Sequence, residues 1–230
     1  MILRLEGVRV VLEGFEVLRG VNLALNPGEA VALIGRNGAG KTTTLRSIMG
    51  LVPLKGGHIF LDGTPLNSLP AYRRAALGLG YAPEDRRLIG HLTVEDNLLL
   101  PAWALRLPAG EVWRRLEEVY ALLPELQRLR SRSAAALSGG EGKMVALGRA
   151  LMVGTRVVLL DEPFQGLAPA LAQRYAETLT RVRREKRGVA FLVTESNPRL
   201  LRKLADRFYQ IERGEVKEVR THEDPSGGTF

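Results

Sequence analysis

Ala30-Val-Ala-Leu-Ile34 runs directly into Gly35-Arg-Asn-Gly-Ala-Gly40-Lys41-Thr42-Thr43. The first five residues are apolar without alternation, the pattern of a strand buried on both faces, as in a parallel sheet. Asn26-Pro27-Gly28 signals a turn just ahead of it, and Thr42 to Met49 reads as a helix. Strand, glycine-rich turn and helix in that order are the setting of a phosphate-binding loop. The glycines let the backbone curl until its N–H groups face phosphate oxygens, at a helix start that favours anions. Lys41 supplies a cation for β- and γ-phosphates, and the Thr42 hydroxyl suits Mg²⁺. An accidental glycine-rich turn is the competing reading, and the strand and helix on either side speak against it.

Working outward, Val157-Val-Leu-Leu160 is a second apolar strand, and it delivers Asp161 and Glu162, with Asp161 120 residues beyond Lys41. Two acids at a strand end are commonplace alone. Behind a phosphate loop, Asp161 can hold the metal through water, and Glu162 can orient or deprotonate an attacking water. Leu137-Ser138-Gly139-Gly140-Glu141 lies upstream, with Ser138 23 residues before Asp161, and leads into a helix through Ala150. Serine and two glycines at a helix start make a second anion-binding surface. Alone this is an ordinary capped helix. In a chain that already has a phosphate loop, it points to a second nucleotide bound across a dimer.

The 230 residues suffice for one large domain, or one domain with a sizeable insertion. Hydrophobic residues at 45% and charged residues at 25% exclude disorder as the main state and collagen-like repeats. The absence of cysteine excludes disulfides, a thiol nucleophile and Cys-ligated zinc, and His58, His91 and His222 are too widely spaced for a metal cluster. The net charge is +8, with 27 of the 33 cations arginine. Such a balance suits nucleic acid, anionic lipid or a polyphosphate, and does not choose among them. The N-terminus alternates like a strand and carries no secretory pattern. Leu98 to Leu107 is broken by Pro101 and Arg106, well short of the ~18 apolar residues that span a bilayer. A cytoplasmic chain is expected, with any membrane role exercised through a partner.

Leu3 to Val11 and Val21 to Leu25 read as strands, and Gly56 to Gly63 as a hairpin arm. From Thr93 to Leu151 the pattern is helical, with Thr93 and Asp96 marking a start. Val112, Leu116, Val119, Tyr120 and Leu123 form one apolar packing face. Strand–helix alternation returns after Thr155, with Val189 to Val193 another strand. No repeat with a period of roughly 20–50 residues is present. The tail from Glu223 is expected to be loose.

With these motifs in place the chain resembles an ATP-binding subunit of an ABC transporter over nearly its whole length. Gly35–Thr42 corresponds to the family's Walker A loop, Leu137–Glu141 to its signature and Leu160–Pro163 to the end of its Walker B strand. More narrowly, Tyr81-Ala-Pro-Glu84-Asp-Arg-Arg, His91-Leu-Thr-Val-Glu-Asp-Asn97, Gly148-Arg-Ala-Leu-Met152 and Gly166-Leu-Ala-Pro169 resemble branched-chain amino-acid importer ATPases. The resemblance implies an α/β P-loop NTPase of ABC ATPase fold, with a RecA-like core, an antiparallel β subdomain and a helical subdomain. Residues 1–84 would hold the first part of the core with the β subdomain, 85–154 the helical subdomain, and 155–230 the rest of the core.

The resemblance also implies a site. Gly35, Arg36, Asn37, Gly38, Ala39, Gly40, Lys41, Thr42 and Thr43 would cradle ATP, and Thr42, Asp161 and Glu84 would serve Mg²⁺. Glu84 stands at the usual Q-loop glutamine and would also touch nucleotide. Lys41, Glu162 and Ser196 fall at catalytic positions, and Ser138, Gly139 and Gly140 at the surface that meets a second subunit's ATP. Arg86 and Arg87 would face a permease coupling helix or form a solvated basic pair, and Gln165 to Ala168 occupies the D-loop. Two positions depart from the family. Leu12 stands where an aromatic usually stacks on adenine, with Phe15 three residues later as a substitute. Ser196 stands at the switch histidine, and a serine is shorter and carries no cation.

The function so implied is ATP hydrolysis powering import of branched-chain or related amino acids through a membrane permease. The partners would be integral-membrane permease subunits and a second ABC ATPase, a heterodimer being expected and a homodimer left open. The chain would sit peripherally at the cytoplasmic face of the inner membrane, held only by the permease, without direct nucleic-acid contact. One alternative is the ATPase of a lipid or lipopolysaccharide exporter. Another is a nucleotide-gated binding module that hydrolyses poorly because of Ser196. A protein acting on DNA or ribosomes would suit the charge, but such relatives resemble tandem ATPase domains or long coiled-coil inserts, and this chain contains neither.

Overall fold

The computed structural model describes residues 1–219; residues 220–230, with His222 and the tail read as loose, lie outside the described residues. β1 (Leu3–Leu12) and β2 (Phe15–Leu25) form an antiparallel hairpin. The second strand begins at Phe15, ahead of the Val21 start legible in the sequence. Glu13 and Gly14 explain this: with φ of 49° and 82° they make a two-residue turn whose twist matches paired strands. Register shifts between Leu5 and Val8, Val8 and Arg9, and Val10 and Val11 break the alternation that would have revealed the pairing.

β3 (Ala30–Ile34) leads to α1 (Lys41–Met49), β4 (Gly56–Leu61) and the short β5 (Thr64–Pro65). The first sheet is antiparallel, in the order β2-β1-β4-β5. Beyond α2 (Ala71–Ala76) and β6 (Leu79–Ala82) comes a helical stretch: α3 (Val94–Ala104), α4 (Ala109–Leu122), α5 (Pro124–Arg128) and α6 (Gly139–Val153). α3 starts at Thr93, whose hydroxyl accepts the Asp96 N–H at 3.0 Å while Asp96 reaches back, a reciprocal cap. The apolar stripe of α4 is buried as its spacing predicts, with Leu123 just beyond it.

β7 (Val157–Asp161), α7 (Pro169–Glu185), β8 (Ala190–Glu195), β9 (Arg207–Glu212) and β10 (Glu215–Val219) complete the chain. The second sheet runs β10-β9-β3-β8-β7-β6, parallel throughout except for β10. Both of its faces are covered. Ala30, Ala32 and Ile34 point into a core shared with the helices, while Val31 and Leu33 join the core beneath the antiparallel sheet. This double burial is why the Ala30–Ile34 run shows no alternation.

The strand order positions the chemistry. β3, β8, β7 and β6 lie side by side and parallel, so their carboxyl ends open on one edge. Ligands of open α/β sheets bind outside those ends.

Candidate active site

A cleft of about 300 Å³ at that edge is lined by Leu12, Val17, Asn37, Gly38, Gly40, Lys41, Thr42, Thr43, Glu84, Glu162 and Gln165. Its floor follows from local structure. Gly40 caps α1 with φ 114°, a conformation that excludes ordinary side chains, and a Cβ there would stand 2.9 Å from Leu18. No side chain caps the helix, so its first amides are available to an anion.

Lys41 is 4% exposed, and its ammonium donates to the Gly35 carbonyl at 2.7 Å and the Arg36 carbonyl at 3.0 Å. It lies 2.9 Å from Glu162 Oε1 and 3.3 Å from Ser196 Oγ. The Ser196 hydroxyl is also 3.0 Å from both Glu162 Oε1 and Asn37 Oδ1, so Ser196 faces the phosphate loop. Ala39 is buried behind the loop, and its carbonyl accepts the Gly214 N–H.

Asp161 accepts from Thr42 Oγ1 at 3.1 Å, Thr194 Oγ1 at 2.8 Å and the Tyr81 hydroxyl at 3.3 Å. Burial raises its pKa against those three donors. The same burial, with Asp161 beside it, pushes the Tyr81 phenol up. Adjacent hydroxyl and carboxylate oxygens fit Mg²⁺, a hard cation that takes one or two carboxylates and leaves its other positions to phosphate and water. Among the described residues no cluster of three or more acids or histidines offers an all-protein cage.

Glu162 adopts φ 44°, a left-handed conformation that costs a non-glycine residue of order 1–3 kcal/mol. Its surroundings impose this. The Glu162 N–H donates to the Thr194 carbonyl and hydroxyl at 3.2 and 3.1 Å, and the Glu162 carbonyl accepts from Lys143 Nζ at 2.9 Å. Burial works to raise the carboxyl pKa, but Lys41, Ser196 and Glu195 together hold it below the ordinary value. The site therefore presents an anionic carboxylate, the form in which a carboxyl can accept a proton.

Lys143, Thr194 and Glu195 fall outside the sequence-predicted site set, as does Tyr81 on Asp161. Lys143 is buried and also binds the Glu84 carbonyl at 3.2 Å; since it acts on main-chain oxygens, no residue pattern announces it. Thr194 gives no signal because it reads as one more strand residue. Glu195 has a weak one, an acid closing an apolar strand next to Ser196.

Other predicted residues stand apart from the cleft. Phe15 does not line it: the tight turn at 13–14 leaves this side chain at the hairpin tip, 77% exposed, and Leu12 and Val17 form that wall instead. Ser138 and Gly139 lie on the exposed start of α6, with Gly140 half-buried against Leu171. The Ser138 hydroxyl accepts the Glu141 N–H in a capping box, and none of these three residues lines the cleft of its own chain. Arg86 and Arg87 have left-handed backbones, with both carbonyls held by Arg149, and Arg87 pairs with Asp85 at 3.0 Å.

A family model described as ABC transporter matches residues 18–165. The branched-chain amino acid transport ATP-binding protein BraG of Pseudomonas aeruginosa is 37% identical over 201 residues, covering 87% of this chain and 84% of that protein. The lipopolysaccharide export ATP-binding protein LptB of Acidithiobacillus ferridurans is also 37% identical, over 200 residues, covering 87% and 82%. Among solved structures, the ADP conformation of MJ1267, an ATP-binding cassette of an ABC transporter, superposes with TM-score 0.82 at 26% identity. That superposition covers 98% of this chain and 96% of the other. With a phosphate loop, an acid-tipped strand and a signature helix set on this fold, the chain belongs to the ABC transporter family as one of its ATP-binding cassettes.

Proposed function

We propose that this chain hydrolyses ATP with Mg²⁺ and thereby powers import of branched-chain or related amino acids through a membrane permease. One observation supports hydrolysis above the rest: the anionic Glu162 carboxylate, buried beside Lys41 at the phosphate end of the cleft. Gly35, Arg36, Asn37, Gly38, Ala39, Gly40 and Thr43 provide the loop around the phosphates, and Lys41 neutralises them. Thr42, Asp161 and Glu84 would hold Mg²⁺, which would supply charge neutralisation to the phosphates. Glu162 takes a proton from the attacking water as its oxygen bonds to the γ-phosphorus and the β,γ-bridging P–O bond breaks, releasing ADP. Ser196 assists by holding Glu162.

Each site is completed by Ser138, Gly139 and Gly140 of a second cassette arranged head to tail. The exposed start of α6 supports this reading. The partner cassette is a homologous subunit rather than a second copy. Residues 1–84, 85–154 and 155–230 act as the core with its β subdomain, the helical subdomain and the remaining core. The chain docks on permease subunits at the cytoplasmic face, and no helix among the described residues is long and apolar enough to cross a membrane.

The importer assignment rests on the resemblance of 81–87, 91–97 and 166–169 to amino-acid importer ATPases and on the identity to BraG. The equal identity to LptB supports a second reading, an exporter ATPase. Purification of the chain from gently solubilised membranes separates them. A second cassette, two permeases and a solute-binding protein support import, and an exporter-type permease overturns it. Turnover measured beside Glu162→Gln tests hydrolysis: a wild type no faster than the variant, with partners present, would leave a nucleotide-gated module.

A further inference from the structure

The Glu162 carboxylate points where its backbone sends it. The Glu162 N–H donates to the Thr194 carbonyl and hydroxyl at 3.2 and 3.1 Å. Its carbonyl accepts the Gln165 N–H at 3.1 Å and Lys143 Nζ at 2.9 Å. Holding the amide on one side of Cα and the carbonyl on the other fixes the direction of the Cα–Cβ bond. It also maintains the left-handed φ of 44°, a conformation that persists in a non-glycine residue only where its surroundings over-determine it.

Thr194 lies on β8 and Gln165 in the same turn as the base, whereas Lys143 reaches in from α6. Lys143 is 8% exposed, and its ammonium also donates to the Glu84 carbonyl at 3.2 Å. Both acceptors are main-chain oxygens rather than carboxylates. A buried cation is costly unless it is hydrogen-bonded, so the ammonium is held by these two carbonyls as firmly as it holds them. The rest of Lys143 is anchored as well. Its own carbonyl accepts the Tyr175 hydroxyl at 3.1 Å, and the Tyr175 ring packs edge-on against Phe164, two residues beyond the base. Gly142 lets the helix come close, since a Cβ there would stand 2.7 Å from the Arg86 guanidinium. Farther along α6, Arg149 holds the Arg86 and Arg87 carbonyls. The helix thus grips the 84–87 segment at two points, and Lys143 ties that segment to the turn that carries Glu162.

We propose that Lys143 is a positioning residue for hydrolysis: from α6 its ammonium holds the Glu162 carbonyl, and with it the direction of the Glu162 carboxylate, against the segment that bears Glu84. Lys143 is not among the residues lining the cleft, so it acts through the backbone of Glu162 and not on the nucleotide. The role rests on the reading of Glu162 as the general base.

The test measures turnover and the KM for ATP of the wild type and Lys143→Met in the full chain, with partner subunits where turnover requires them. Lys143→Met removes the donors at similar length and is expected to lose about tenfold or more in kcat with KM within about twofold. Lys143→Arg and Lys143→Gln keep N–H donors on a longer and a shorter side chain, and at least one should turn over about fivefold faster than Lys143→Met. In a Glu162→Gln background, Lys143→Met should alter the residual rate by less than about twofold, because the group it positions is no longer a base. Lys143→Leu replaces the methionine variant should that fail to fold. A methionine variant with kcat within about twofold of wild type, a loss confined to KM, rescue by neither donor variant, or an equal loss in both backgrounds overturns the role of Lys143 alone. A wild type that binds ATP but turns it over no faster than Glu162→Gln overturns the ATPase reading and this role with it.

Discussion

Lys41 Nζ and Glu162 Oε1 stand 2.9 Å apart with side chains 4% and 5% exposed, so the phosphate-loop cation and the proposed general base form a buried ion pair. The pair joins α1 to the end of β7, across a strand order in which β8 lies between β3 and β7. Neither charge is well solvated, and each makes the other tolerable.

Breaking the pair from one side leaves an uncompensated buried charge, which costs roughly 3–5 kcal/mol. Lys41→Met and Glu162→Gln should each lower stability, and the double variant should lose less than the sum. Denaturant unfolding of the four proteins gives the coupling energy. Strict additivity would show that the pair does not form in solution.

Ser196 contributes a hydroxyl within 3.0 Å of Glu162 Oε1. Removing one such hydrogen bond is worth about 1 kcal/mol, or roughly fivefold in rate. Ser196→Ala is therefore expected to lower kcat by about that factor with KM little changed, read by steady-state turnover. A loss beyond about a hundredfold would mean that Ser196 does more than hold Glu162.

Folding stability should carry the imprint of Glu195. Its folded pKa, about 7, lies above the ordinary 4.5. The folded protein binds this proton more tightly than the unfolded chain, so the contribution is complete below the unfolded value and is lost as pH rises through the folded one. The limiting slope is about 1.4 kcal/mol per pH unit. Glu195→Gln lacks this slope. Its stability relative to wild type should therefore rise between pH 5 and pH 7, as measured by denaturant titration at each pH; a pH-independent difference would contradict a raised Glu195 pKa.

Among the described residues, Leu12 and Val17 are the only non-glycine apolar ones lining the cleft, so a nucleotide base placed there would meet aliphatic groups rather than an aromatic face. An aromatic at position 12 adds stacking worth about 0.5–1.5 kcal/mol. Leu12→Tyr should tighten ATP binding about two- to tenfold by calorimetry. A stronger loss of affinity in Phe15→Ala than in Leu12→Ala would instead return the base to Phe15.

The legible part of this protein was its local chemistry. The Ala30–Thr43 segment is a strand, loop and helix because unbroken apolarity, glycine spacing and a helix-forming run act over neighbouring residues. The signature at 137–141 and the acids at 161 and 162 were legible for the same reason. Thr93 with Asp96 is a helix start in sequence and in space alike.

What sequence left open depends on residues far apart in the chain. The hairpin at 13–14 was missed because bulges interrupt the alternation of β1 and β2. Phe15 seemed available to a base in one dimension, and only the turn geometry put it at the exposed tip. Lys143 acts on carbonyl oxygens and Glu195 on backbone amides, so neither role has a residue pattern. The parallel order β3-β8-β7-β6 brings 35–42, 196, 162 and 84 to one edge. Sequence set what each segment can do. The packing of both faces of that sheet decided which segments meet: Val31 and Leu33 are covered on one side and Ala30, Ala32 and Ile34 on the other, and the covering elements come from distant parts of the chain.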